Sequence, residues 1–162
     1  IMSKRLEILK KSLAKKEQEL QRRLDEHFAT VKQANGQPLN DKRNGSATLK
    51  KWEKQNDGIR NVQTSIEKTK QAIEIEGNKV LEVELSKKYI PKEILQLVES
   101  GELIQWRKYP HTFFVHGVDK ARIVWIEKTK QVAHKFLNEI PTIDQRKKFA
   151  QVFNLLAKQL KK

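Results

Sequence analysis

The residues with the clearest chemical potential lie between positions 106 and 122. Cations and aromatic rings alternate there, in the order Trp106, Arg107, Lys108, Tyr109, Lys120 and Arg122. Lys and Arg side chains bind phosphate oxygens, and aromatic rings stack on unpaired bases. The segment therefore predicts a surface that contacts nucleic acid. The alternative interpretation is an ordinary strand, with Trp106 turned into the core and the cations in solvent.

A second basic group, Lys42 and Arg43, lies in a polar stretch over residues 36–47. Such a stretch predicts a loop, and its two cations predict a further phosphate contact. Over the whole chain Lys outnumbers Arg 26 to 8. Because Lys attracts phosphate as a point charge whereas Arg reads guanine edges bidentately, this ratio predicts binding that is largely independent of sequence.

Four residues of the same region could suggest a metal or an acid–base site: His111, His116, Asp119 and Glu127. The spacing of His111 and His116 argues against it, because strand residues an odd number apart tend to face opposite sides of a sheet. The chain also has no His-Glu-x-x-His motif and no glycine-rich phosphate loop, and it lacks cysteine. We therefore expect no catalytic site, no metal and no cofactor.

Two long helices are predicted to precede this region. Leu6, Leu13 and Leu20 recur at intervals of seven in the first helix. The same interval runs unbroken through the second, at Trp52, Ile59, Ile66, Ile73 and Val80. Stripes of this kind bury themselves against another helix. With a loop of 11 or 12 residues between them, they predict an antiparallel helical hairpin of coiled-coil type; a parallel coiled coil between chains is the alternative.

The sequence after position 86 predicts a small α+β domain. A short helix starts at Pro91 and ends at Gly101, and three β-rich segments follow at 103–109, 112–116 and 122–126. They predict a three-stranded antiparallel meander with flanking helices. Apolar residues at Val132, Phe136 and Ile140 predict a helix before Pro141, and the last helix begins near Thr142.

Composition divides the chain in the same way. Nine of the eleven aromatic residues lie within 89–162, where 14 basic residues face 7 acidic ones. Because aromatic side chains contribute most area to a core, the compact body should be C-terminal. We therefore predict a hairpin domain over residues 3–86, acting in dimerisation, and a basic α+β domain over residues 87–162. The fold class is α+β.

The net charge of +14 favours a polyanionic partner. The sequence predicts a non-enzymatic nucleic-acid-binding accessory protein, with DNA favoured over RNA, that forms a homodimer. No apolar run approaches the length of a membrane span, and the absence of cysteine fits the cytoplasm. The Lys-, Gln- and Asn-rich composition is compatible with a bacterial or phage source.

Two other functions are compatible with the sequence. In one, the hairpin is a scaffold for an acidic protein partner. In the other, a nucleotide binds against Trp106 or Trp125, with its phosphates on Arg107 and Lys108.

Overall fold

The computed structural model describes residues 3–34 and 45–161, and the fold is α+β as predicted. The helices are α1 (Lys4–Gln33), α2 (Gly45–Ser86), α3 (Lys92–Ser100) and α4 (Ile143–Gln159). The strands are β1 (Leu103–Gln105), β2 (Thr112–Val115), β3 (Arg122–Ile126) and β4 (Gln131–Lys135), followed by a 3₁₀ turn (Leu137–Glu139). Contacts divide the chain into two compact units, one ending at Gly77 and one beginning at Asn78.

The first unit contains the predicted helical hairpin. Ser3 caps α1, because its Oγ accepts a hydrogen bond from the Leu6 amide at 3.2 Å. Lys16 Nζ donates to Thr69 Oγ1 at 2.8 Å, and His27 Nδ1 lies 2.9 Å from Gln55 Oε1. Residues early in α1 thus meet residues late in α2, so the two helices are antiparallel.

The heptad line of α2 forms the seam of this hairpin. Ile59 and Ile66 are buried on it. Trp52 and Ile73, on the same line, are half-buried. The regular spacing is sufficient to predict this packing, because every seventh residue of a helix returns to nearly the same face.

The second unit is a four-stranded antiparallel meander with α3 and α4 on one face. The strand order is β1-β2-β3-β4. Phe113, Ile123 and Trp125 turn towards the core, where Ile94 of α3 and Phe149 of α4 are buried with them. Trp125 Nε1 donates to the Tyr89 carbonyl at 3.0 Å, which satisfies the only polar atom of this buried side chain.

The sequence prediction is wrong about the segment before Pro141, which forms a strand rather than a helix. Gln131–Lys135 pairs with the full length of β3, from Ile126↔Gln131 to Arg122↔Lys135. The apolar residues that imitate a helical spacing have separate roles. Val132 is a strand residue that packs against the core, Phe136 has a left-handed backbone with φ 59°, and Ile140 is buried beyond the 3₁₀ turn.

The predicted first strand is also too long. β1 ends at Gln105, and residues 106–111 form a loop. The Trp106 amide donates to the Thr112 carbonyl and the Thr112 amide to the Tyr109 carbonyl, each at 2.9 Å. Gln105 Nε2 donates to the Pro110 carbonyl at 2.8 Å. These bonds hold the loop in one conformation at the end of the sheet.

Candidate nucleic-acid interface

The second face of the sheet carries no helix of this unit, and we call it the open face. Because side chains alternate along a strand, the register sets a row of residues across this face. The row consists of Ile104, Phe114, Arg122 and Lys135, which pair in that order from β1 to β4. Ile104 is 51 % exposed, so this end of the face is open to solvent.

Arg122 is the centre of the open face, and three aromatic rings surround its guanidinium. Its Cζ lies 4.7 Å from the ring centroid of Trp106, 4.8 Å from that of Phe136 and 5.5 Å from that of Phe114. Each distance is within the range of a cation–π contact. The rings hold the cation in place by stacking.

Arg122 has no acidic partner among the described residues. Its side chain takes part in no ion pair or hydrogen bond there, and its Nε is buried without a hydrogen-bond partner. Half-buried charges are normally compensated by an opposite charge or by hydrogen bonds. The three rings thus hold the Arg122 cation in a fixed position, with no opposite charge beside it among the described residues.

The neighbour of Arg122 increases this positive charge. Lys135 lies directly opposite Arg122 on β4, and its side chain is exposed. Like charges directly across an antiparallel pair are destabilising, by a few tenths of a kcal/mol up to about 1 kcal/mol. An anion bound between the two side chains would turn that repulsion into attraction.

Phe136 adds a third unfavourable feature at the same place. Its φ of 59° is in the left-handed region, which costs a bulky residue roughly 1–2 kcal/mol. This backbone conformation brings the Phe136 ring to Arg122, although 46 % of the residue remains exposed. Strained backbone is concentrated at functional sites, so the feature supports a role for this ring in binding.

The 106–111 loop forms one side of a recess of about 390 Å³ beside Arg122. Trp106 and Tyr109 meet edge to face with their ring centroids 4.8 Å apart, and Tyr109 is 52 % exposed. Lys108 Nζ lies 5.4 Å from the centroid of the Tyr109 ring. Val124, Thr112 and Lys135 of the neighbouring strands also line the recess.

The structure brings part of the predicted site together. Tyr109 and Arg122 line the same recess, and Lys108 lies next to the Tyr109 ring. Arg107 is an exposed residue of the same loop. Lys120 is exposed in the turn before β3, outside the recess, with φ 66°. The other two predicted residues, Lys42 and Arg43, lie outside the described ranges.

Lys135, Phe136 and Phe114 belong to this surface but were not predicted as site residues. Lys135 and Phe136 lie in the segment expected to be helical, and only the pairing of β4 with β3 places them beside Arg122. The available signal is the short spacing between β3 and Gln131–Lys135, a turn of four residues. Such a spacing is typical of a β-hairpin, and a strand at 131–135 places Lys135 and Phe136 near Arg122.

The first unit contains another cationic surface, a cleft of about 490 Å³ lined by Arg22, Arg23, Lys51 and Lys54. Acidic residues of α1 compensate part of its charge, because Glu19 pairs with both arginines and Glu26 pairs with Arg22. Hydrogen bonds from Arg22 and then Arg23 lower the pKa of Glu19 from 4.5 to about 2. The cleft is therefore less cationic than its arginine and lysine content suggests.

Neither a metal centre nor a membrane-spanning helix is found within residues 3–34 and 45–161. No three His, Asp or Glu side chains there converge as metal ligands would. Every helix in those ranges is too short or too polar to span a bilayer. No protein-family model, curated protein or solved structure matches this chain.

Proposed function

We propose that this protein is a non-enzymatic nucleic-acid-binding accessory protein that binds through the open face with little dependence on sequence. The observation that carries the proposal is Arg122, a half-buried cation without an acidic partner among the described residues, fixed between aromatic rings and directly opposite Lys135. A phosphate is the group that would compensate these charges, because its oxygens accept hydrogen bonds from both.

The composition of the chain supports a polyanion as the ligand. The net charge is +14, and the segment 89–162 alone has an excess of seven basic residues. Such an excess attracts nucleic acid from a distance and releases condensed counterions on contact. The predominance of Lys supports DNA binding without reading of the base sequence. The lack of cysteine fits a cytoplasmic location for this function.

A salt titration tests the proposal. We expect the logarithm of the affinity for a duplex DNA oligonucleotide to fall linearly with the logarithm of the salt concentration, with a slope of roughly −4 to −7. Lys135→Gln should reduce that slope by about 0.9, the value of one phosphate contact. Lys147→Gln removes the same charge from α4, on the opposite side of the sheet, and is the matched control.

Two results would contradict this function. A flat salt response would show that the charge serves solubility or an acidic protein partner. A strong preference for one duplex sequence would show that the open face reads bases directly. If Lys147→Gln lowers the slope as much as Lys135→Gln, the binding is spread over the whole surface and the open face has no special role.

We propose further that the hairpin mediates a homodimer. Two isoleucines of the first unit are largely exposed, Ile8 at 66 % and Ile75 at 56 %. The contacts Ser3–Glu76 and Lys16–Thr69 place both within the same stretch of the hairpin. Sedimentation should show a dimer at micromolar concentration that Ile8→Lys with Ile75→Lys converts to a monomer. A monomeric natural chain would refute the dimer and leave the open face unaffected.

A further inference from the structure

We infer that the recess beside Tyr109 holds one unpaired nucleobase, so that the open face prefers single-stranded nucleic acid to a duplex. This inference rests on the proposed function and specifies the ligand of the same site. It derives from a juxtaposition: an apolar, ring-lined recess of about 390 Å³ is also lined by two cations, Arg122 of β3 and Lys135 of β4.

The recess has the size and lining that a base needs. Its volume is near the lower end of the range for small-ligand sites, about 300–1,000 Å³. Trp106, Pro110 and Val124 provide apolar contact, and Thr112 and His111 provide polar atoms at its wall. A nucleobase has the same character, with a flat apolar face and a polar edge.

The exposed ring of Tyr109 in the loop is the reason to expect that the ligand is an unpaired base. Tyr109 is 52 % exposed, and Trp106 contacts it edge to face, so Trp106 supports the ring without stacking on it. Bases of a duplex are already stacked on each other and offer only their edges in the grooves. A base of a single strand can stack on an exposed ring, and stacking of this kind tolerates any base.

The positions of Arg122 and Lys135 favour a nucleic-acid strand over a free nucleobase as the ligand. Arg122 and Lys135 line the recess on the side of the sheet, where the sugar–phosphate of a bound nucleotide would leave it. The four hydrogen-bonded contacts around the loop keep the recess formed without ligand: Trp106 to Thr112, Thr112 to Tyr109, Gln105 to Pro110 and Trp125 to His111. A preformed site lowers the entropic cost of binding.

The test compares three probes at one salt concentration: a labelled 12-nucleotide oligothymidylate, a 12-base-pair duplex and thymidine monophosphate. The full chain should bind the single strand more tightly than the duplex. Tyr109→Leu, which keeps an apolar side chain but removes the ring, should weaken the single strand roughly tenfold. The same substitution should change duplex affinity by less than about twofold, because stacking needs an unpaired base.

Tyr109→Phe is the matched control, because it keeps the ring and removes only the hydroxyl. It should retain the single-strand affinity that Tyr109→Leu loses, because stacking needs the ring and not the hydroxyl. Since Tyr109 is half exposed, neither variant should affect folding, and circular dichroism verifies this. If Tyr109→Leu binds the single strand unchanged, or loses both ligands equally, the base does not stack in the recess.

The outcomes separate this inference from the function on which it rests. If the duplex binds with a salt-dependent affinity and Tyr109→Leu changes no affinity, the recess does not bind an unpaired base. The proposed nucleic-acid binding then still holds. If thymidine monophosphate binds as tightly as the oligonucleotide, the ligand is not a nucleic-acid strand, and the recess is a site for a free nucleotide. An absence of binding to all three probes at low salt refutes the proposed function itself.

Discussion

The open face is distinguished by single residues that are unfavourable for folding. Arg122 lacks a counter-charge among the described residues, Lys135 repels it across the strand pair, and Phe136 adopts a left-handed backbone. The repulsion between Lys135 and Arg122 and the backbone of Phe136 each lower stability, and a sequence selected for stability alone would avoid both. Their occurrence within one small cluster is the best argument that the cluster binds a ligand.

Phe136 allows stability and binding to be separated. Phe136→Asn removes the ring from Arg122, and Asn tolerates the left-handed conformation. We expect weaker oligonucleotide binding with a free energy of unfolding within about 1 kcal/mol of the natural chain. Phe136→Ala loses the same ring but keeps the backbone strain, so chemical denaturation should find it less stable than the Asn variant. Unchanged binding by both variants would show that the ring is dispensable.

Glu19 sets a pH dependence in the hairpin. Because the hydrogen bonds from Arg22 and Arg23 lower its pKa from 4.5 to about 2, the contribution of this carboxylate to stability is complete above pH 4.5. It is lost as the pH falls through about 2. The stability difference between the natural chain and Glu19→Gln should therefore be constant above pH 5 and shrink below pH 4.5. A midpoint near 4.5 in a carboxyl NMR titration would contradict the pairing.

At the scale of elements, two glycines inside α2 differ in their surroundings. A Cβ at Gly77 would meet no atom within 4 Å, whereas a Cβ at Gly58 would lie 2.5 Å from Nη1 of Arg23. Gly77→Ala should thus stabilise the chain by about 1 kcal/mol. Gly58→Ala should gain less, because Arg23 must move.

An Arg23→Ala background provides the control for this pair, measured by thermal unfolding of the full chain. With the guanidinium removed, Gly58→Ala should recover the gain seen for Gly77→Ala. Equal gains at both glycines in the natural background would show that Arg23 moves aside without loss.

The helices could be predicted from the sequence more completely than the sheet. The line through Ile59 and Ile66 repeats over many turns, so an error at one position leaves the pattern intact. The segment with Val132 and Phe136 is short, and its spacing fits a helix as well as a strand. The pairing of β4 with β3 decides between them, and that is a long-range contact without a local signal.

The site was predictable to the same extent. Tyr109 and Arg122 could be recognised because cations and rings are neighbours along the chain there. Lys135 and Phe136 could not, since only strand pairing and a left-handed backbone bring them to Arg122. Local chemistry is visible in a sequence, whereas proximity across a sheet is not.

At the scale of the whole molecule, the limits of the second unit can be tested with fragments. The contacts between residues place the start of this unit at Asn78, whereas the sequence predicts that the domain starts at residue 87. Ser86 is buried, and its Oγ accepts a hydrogen bond from Gln105 Nε2 at 3.2 Å. A fragment of residues 78–162 should therefore fold and be more stable in urea than one of residues 87–162. Equal stability would show that the last turns of α2 contribute nothing to this unit.

The strand order of the sheet also determines how fast it can form. Because β1-β2-β3-β4 follow each other in space as in the chain, the longest connection between paired strands is the six residues of 106–111 or 116–121. Closing loops of this length takes on the order of 10–100 ns, and sheets built from local pairings fold faster than those that await distant partners. Every residue of the open face, including Phe136 directly after β4, is synthesised before the last helix α4, which packs on the opposite side of the sheet.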